Sequence, residues 1–464
     1  MHKRFMLMQL ILLCALCSRA AMAEDWPTYN HDVARSGVTN ETLPADLHEV
    51  WVYRSPHPPR VAWPGPAKWD GWNKVYDLKD RTNFDAAFPV VVAGDRAYFG
   101  SNVDDKVYCL DAATGEQRWA FYTEGPVRLA PTVVDGRVYV GSDDGHVYCL
   151  DAVSGELIWK HRPGPEDRRL IGNGRMISAW PVRTGVVVMD GVAYCCAGVF
   201  PSESVYLCAI DAATGRQLWR TSMTDLPAQG YMLASATRLY VTTGRDRPVV
   251  FRRENGERIF QMTGGRGDGG TYALLTGDTL IYGPGKTGEM FVTGEQQRDQ
   301  LASFQGNHMI VAGPMSYLQT DTKLTALDRA TYLDLHTQRR VATTQMNQIA
   351  ERIRKQQATI DAEELRELRA RMMALSARID ALSQRMNECY KWELPTTHNH
   401  ALILAGNTLY AGGQNSVIGV DAVTGKEVWQ ADVDGAALSL SAANGRLYVS
   451  TDRGTIHCFT GQSQ

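Results

Sequence analysis

Three observations predict an all-β chain built by radial repetition, an eight-bladed β-propeller of four-stranded antiparallel blades. The first is a repeated core, Y-C-L-D-A-x-[ST]-G-E-x-x-W, which occurs at 108–119 and again at 148–159, so that Tyr108 and Tyr148 are 40 positions apart. The second is a pair of looser copies, one through Asp211, Gly215 and Trp219 and one through Asp421, Gly425 and Trp429, that keep glycine and tryptophan four residues apart. The third lies inside a unit. Val133-Val134, Val138-Tyr139-Val140, Val147-Tyr148-Cys149-Leu150 and Leu157-Ile158-Trp159 are short β-branched or aromatic runs, and Asp135-Gly136, 142–145 and Ser154-Gly155 separate them as turns. Self-similarity at such a period marks a propeller, solenoid or array. A four-stranded sheet cannot bury both faces alone, and stacking like sheets around an axis does so.

The repeat residues have local reasons. Asp151 opens the last turn, where its carboxylate can accept backbone N–H groups farther along, and Gly155 suits a positive φ. Trp159 is wide and flat, suited to the space between neighbouring sheets.

The chain has 464 residues, is 44% hydrophobic and 21% charged, and carries a formal charge of −3. That composition supports a sizeable core and offers no basic surface for nucleic acid or an anionic membrane. His2, Lys3 and Arg4 precede an apolar run from Phe5 to Cys17, and Ala21-Met22-Ala23 is a small-x-small site. Residues 1–23 are therefore expected to be a cleaved signal peptide, with export to the periplasm or its equivalent. No later run reaches the ~18 apolar residues of a membrane span.

A polar lead follows to Leu47, then a lone strand, Val50-Trp51-Val52-Tyr53, with a repeat-type tryptophan and no strands before it. The C-terminal stretch 438–460 holds three strands and stops without a tryptophan strand. The N-terminal strand is expected to close the ring there and cover both edges. An insertion at 55–83 carries Trp63, Trp69 and Trp72 and reads as a loop packed on one face, with a ligand-covering flap as the alternative. Last strands at Trp119, Trp159, Trp219, Phe260, Phe304, Trp392, Trp429 and Trp51 give eight blades. Seven is the alternative, because 270–304 is degenerate.

The sixth blade is interrupted. Its repeat runs to Thr331, Tyr332 replaces the turn glycine, and the chain returns at Tyr390. Between them, 333–389 is expected to form a helical hairpin with a coiled-coil seam. Leu365, Leu368, Met372, Leu375, Ile379, Leu382 and Met386 alternate three and four apart, and Ala342, Met346, Ile349 and Ile353 match them. Asp361 and Glu364 suit a capping box. Such a seam serves self-packing first and a partner second.

Candidate ligand-binding residues are Arg128, Arg175, Trp180, Arg183 and Arg245. Pro126-Val127-Arg128 and Pro181-Val182-Arg183 enter their blades at equivalent places, near the rim of the axial channel, with Arg247 beside Arg245. Converging arginines favour a carboxylate or phosphate; rim salt bridges with Asp143 or Asp144 are the plain alternative. Cys195 and Cys196 are adjacent and offer a vicinal disulfide, although a regular strand would point them apart. Cys109, Cys149 and Cys458 read as core thiols. His398 and His400 lack a third metal ligand, so no metal site is assigned. The glycine-rich stretch 264–270 has no strand-then-helix context and reads as a turn. No nucleophile elbow, HExxH or carboxylate dyad is present, so no catalytic residue is named.

These repeats, with the Asp-Trp-Pro-Thr-Tyr lead at 25–29, resemble the pyrroloquinoline-quinone-type (PQQ-like) propeller repeat family across most of 24–464. The resemblance implies one of two functions. Quinoprotein dehydrogenases hold PQQ and calcium in an eight-bladed channel, the quinone lying between a tryptophan and a vicinal disulfide. On that reading Trp180 and Cys195-Cys196 would sandwich it, and Arg128 and Arg183 would hold its carboxylates. Non-catalytic relatives, BamB-like members of the outer-membrane barrel assembly machinery among them, are scaffolds. The calcium-binding Glu and Asn and the catalytic Asp of the enzymes are not found here. The chain therefore reads as an exported, non-catalytic propeller. It would bind a protein partner or an anionic ligand in the cell envelope, through a propeller face or the hairpin. No cofactor is assigned, and a PQQ- and calcium-dependent dehydrogenase is the alternative.

Overall fold

The computed structural model describes residues 23–461 apart from 64–83, 173, 245, 265–267, 278, 286–287, 295–299 and 357–359. The expected signal segment up to residue 22, Arg245, Trp69 and Trp72 thus lie outside the described residues.

Six separate four-stranded sheets follow in chain order, at 91–122, 132–161, 187–223, 233–261, 272–305 and 308–395, each with strands in sequence order. Arg169–Gly172 pairs with Arg175–Ser178 in a separate two-stranded ribbon, and an eight-stranded sheet supplies two more units. Its long strand, Glu427–Ala443, completes one unit with Ala401–Ala405, Thr408–Gly412 and Gln414–Asp421. The second half of the same strand starts another unit with Arg446–Thr451 and Thr455–Thr460. His48–Arg54 supplies the fourth strand there, with Trp51 opposite Cys458 and Tyr53 opposite Ile456. The N-terminal strand closes the ring as the sequence predicts. The short strand Val38–Thr39 adds in parallel beside Ala401–Ala405. First strands of neighbouring units touch one another around a common axis, and Val91–Ala93 meets the long strand to close the circuit. The degenerate stretch 272–305 forms a four-stranded sheet, because its apolar residues fill the cores on both faces although its repeat signature is gone.

The repeated glycine and tryptophan explain each other. The Trp119 indole donates to the Ala152 carbonyl at 3.2 Å, and the Trp159 indole donates to Ala212 at 3.1 Å. Trp51 and Trp392 repeat the contact on Ala112 and Ala422 at 3.2 and 3.0 Å. Each indole lies on the turn glycine of the next unit. A Cβ added at Gly155, where φ is +75°, would lie 2.6 Å from the Trp119 ring. The position needs glycine twice, for its backbone and for its missing side chain. Asp151 accepts the Val153 and Ser154 N–H groups at 2.9 and 2.8 Å, as its place in the turn predicts. Where the sixth unit has Tyr332 in place of glycine, the preceding unit has Phe304 in place of tryptophan, and the two rings pack 5.2 Å apart. Gly155→Val is expected to destabilise the protein by about 1–3 kcal/mol through overpacking, with backbone strain in addition. Gly136→Ala, at φ +71° with nothing within 4 Å, pays strain alone, about 1–2 kcal/mol. Thermal unfolding of the two variants separates these causes, and equal losses would contradict the docking account.

Helix α1 (Arg329–Gln356) starts directly after the strand Lys323–Asp328, earlier than the predicted boundary at residue 333. Helix α2 (Ala362–Asn387) returns the chain to Tyr390–Pro395. Asp361 caps α2 by accepting the Glu363 and Glu364 N–H groups at 3.0 and 2.8 Å. The Glu364 carboxylate pairs across the hairpin with Arg352, a charge-assisted bond. At the base, Leu335, Leu382 and Met386 bury among Tyr272, Leu274, Met309 and Phe304. Farther out, Ala342 and Leu368 are buried on the seam, whereas Val341 and Met373 face outward.

Candidate functional site

The polar lead has a structural task the sequence did not reveal. Residues 26–39 cross the first strands at one end of the axis. The Trp26 N–H donates to the Val92 carbonyl, and the Trp26 carbonyl accepts the Val92 N–H in return. Carbonyls of Pro27, Val33, Ala34 and Gly37 accept from Val133, Ala234, Leu275 and Leu404, which lie in separate units. Arg35 is 1% exposed and anchors the segment. Its guanidinium donates to the Thr28 hydroxyl at 2.7 Å and to the Tyr29 and Met232 carbonyls at 3.0 and 3.2 Å. Burial lowers its pKa to about 10, and the neighbouring Tyr231 and Asp32 offset this only in part. Tyr29 then stacks on Tyr231 at 3.6 Å, with the two planes 3° apart.

The rim arginines are occupied by acids. Arg128 pairs with Asp143 and with Asp85, each at 2.6 Å. Arg183 meets the same Asp143 through two donors at 2.7 and 2.8 Å. All four side chains are almost completely buried. Burial works against the charge on Asp143, yet the Arg183 and Arg128 guanidinium groups outweigh it and hold the carboxyl below the usual range. Arg175 pairs with Asp105. The expectation that these arginines converge on an anionic ligand is therefore corrected. They neutralise buried carboxylates, since a guanidinium at this depth needs a fixed counter-charge.

The adjacent cysteines are corrected as well. Cys195 and Cys196 are free thiols on a regular strand, opposite Cys208 and Leu207. Their side chains enter two different cores, one beside Trp180 and one beside Met232. A vicinal bond would require them on one side. Burial raises both thiols far above their ordinary pKa. Trp180 is buried, donates from its indole to the Glu203 carbonyl at 2.8 Å, and has Arg168 over its ring. Cys109, Cys149 and Cys458 are buried free thiols.

A cavity of about 360 Å³ lies on the axis, with Tyr29 and Tyr231 among its walls. It is bordered by residues just before or within first strands, among them Thr271, Tyr272, Asn307, His308, Asn399, His400 and Ser439. Among the described sequence candidates, His400 alone is in its lining. His398 turns away, bonding Thr396 and Ser416 at 2.8 Å each. The missed signal was a small repeat. The dipeptide Asn-His enters the first strand of two successive units, at 307–308 and 399–400.

The residues that a PQQ site would draw on do not assemble. Arg128 and Arg183 are neutralised, and Trp180 and the two cysteines are packed in blade cores away from the cavity lining. Among the described residues no group of three or more His, Cys, Asp or Glu side chains is placed to hold a metal ion. No described helix is long and apolar enough to cross a membrane.

Radial sheets, tryptophan docking and closure by the N-terminal strand define a propeller of the PQQ-like repeat class. The chain belongs to the family described as "Outer membrane protein assembly factor BamB", whose profile matches residues 60–194 and 178–463. No curated protein matches the sequence. Among solved structures it is similar to the quinohemoprotein alcohol dehydrogenase of Comamonas testosteroni, at 14% identity and TM-score 0.61, covering 95% of this chain and 81% of that one. A europium-containing methanol dehydrogenase aligns at 11% identity and TM-score 0.56, over 92% and 89% of the two chains. The computationally designed protein Ika8 aligns at 10% identity and TM-score 0.54, over 83% and 98%. At these identities the likeness is one of fold.

Proposed function

We propose that this chain is a non-catalytic binding protein of the cell envelope, a scaffold for a protein partner, exported by the segment 1–23 and working without quinone or calcium. One observation carries the reading. Arg128 and Arg183, which a quinone's carboxylates would need, are neutralised by Asp143 and Asp85 in the body of the propeller. The family description supports a partner within an outer-membrane protein assembly system. The hairpin is the surface proposed for that partner. Its seam is satisfied internally, its base is fixed in the core, and its outer faces carry exposed Met373, Arg371 and Arg378.

The test shortens the hairpin by removing 343–378 and joining the ends with a short glycine linker, which keeps Leu335, Leu382 and Met386 at the base. The full mature chain is expected to co-purify outer-membrane barrel-assembly components from native envelopes after mild crosslinking. The shortened chain is expected to lose them while unfolding at a similar temperature. Retention of those components would contradict the hairpin as the docking surface. Their absence from the full chain's complexes would contradict the scaffold reading.

A further inference from the structure

We propose that the axial cavity is a binding site for a neutral polyhydroxylated ligand, a sugar of one or two rings. Several lining groups are already engaged. The Tyr231 hydroxyl accepts the Ala130 N–H at 2.8 Å, and the Tyr272 hydroxyl donates to the Met309 carbonyl at 2.6 Å. The Asn307 amide donates to Asp321 at 2.9 Å, and His308 bonds Gln319 at 2.7 Å. Four other polar side chains border the same space: Thr271, Asn399, His400 and Ser439. None of these four makes a side-chain hydrogen bond to another described residue. Polar groups turned into a cavity without a protein partner are satisfied by water or by a ligand.

The unspent groups fix the ligand's chemistry. They are a hydroxyl pair, a carboxamide and an imidazole, all uncharged donors and acceptors. Burial lowers the His400 pKa and keeps its ring neutral. Among the described residues the lining contains no lysine or arginine, so a carboxylate or phosphate would meet no counter-charge from them. Asp321, the single carboxylate among the described lining residues, is held by Asn307. The walls also present the rings of Tyr29, Tyr272 and Phe84, apolar faces for the C–H side of a sugar ring. The volume is at the small end of the range for ligand pockets, about 300–1,000 Å³. The N-terminal segment closes one end with the stacked Tyr29 and Tyr231, which gives the cavity a floor.

This site is independent of the hairpin, so partner docking and sugar binding succeed or fail separately. The experiment titrates the full mature chain with glucose, N-acetylglucosamine, maltose and trehalose, and with glucuronate and glucose 6-phosphate as charged counterparts. Saturation-transfer NMR and calorimetry read the binding. At least one neutral sugar is expected to bind saturably at millimolar or lower concentration, and its charged counterpart at least about tenfold more weakly. Asn399→Leu and Ser439→Val are each expected to weaken it about fivefold. Thr271→Val provides a third reading if either variant fails to fold. A maltohexaose arm separates the sources. Binding equal to maltose assigns the end ring of a longer glycan, and exclusion of the hexamer assigns a free small sugar. The proposal is overturned by no saturable binding of any neutral sugar at millimolar concentration. Tighter binding of the charged counterparts, or unchanged affinity in the folded variants, overturns it too.

Discussion

Asp143→Ala is expected to lower the folding free energy by about 3–5 kcal/mol, the cost of breaking a buried ion pair from one side. Asp143 lies between Arg128 and Arg183, within 2.6 and 2.7 Å of their guanidinium nitrogens. Without it Arg128 keeps its pair with Asp85, and Arg183 loses the two bonds it makes to Asp143. Urea unfolding at neutral pH should show a lower midpoint at an unchanged slope. A loss under about 1 kcal/mol, the value of an exposed pair, would mean that the cluster is solvated in solution. The same residue gives a pH signature. Its native pKa is depressed, so its stabilisation is present in full above the unfolded value, about 3.9. That stabilisation is lost as pH falls through the lowered native value. Asp143→Asn should flatten the acid limb of the stability profile.

A chain beginning at Ser55 is expected not to fold. It lacks His48–Arg54, so Thr455–Thr460 becomes an open edge and Trp51 no longer docks on Gly115. It also lacks the segment 26–39, which ties first strands from separate units together at the axis. An open edge of this kind templates aggregation. The truncated chain should be recovered only as aggregate, or as a monomer without a cooperative thermal transition. A cooperative transition near that of the full mature chain would contradict the closure account.

The scaffold was legible where packing repeats. Glycine and tryptophan four residues apart recur because each indole rests on the next unit's turn, so one local rule is written many times. The hairpin was legible for a similar reason, since its seam alternates at helical spacing. Its start was misplaced because the strand Lys323–Asp328 runs straight into the helix, and the repeat's turn aspartate, Asp328, serves as the helix cap by accepting the Thr331 N–H at 3.1 Å. The lead at 26–39 was opaque. Its contacts join Pro27 to Val133 and Gly37 to Leu404, and nothing local in the sequence encodes such distances. Arg128 and Arg183 were found as a pair by position, but their role depended on Asp143 and Asp85. Asp85 is on the far side of an insertion with no repeat pattern. His400 was weighed with His398 as a metal ligand and set aside, and Asn307-His308 was not connected to it, because a repeated dipeptide carries little signal until a cavity unites its copies.

The central claim is that this propeller binds a partner without quinone chemistry. Calorimetric titration of the full mature chain with pyrroloquinoline quinone and calcium tests it most directly, followed by dye-linked oxidation of alcohols and sugars. The account predicts no saturable heat at micromolar quinone and no oxidation above the protein-free rate. Stoichiometric quinone binding with calcium-dependent turnover would contradict it.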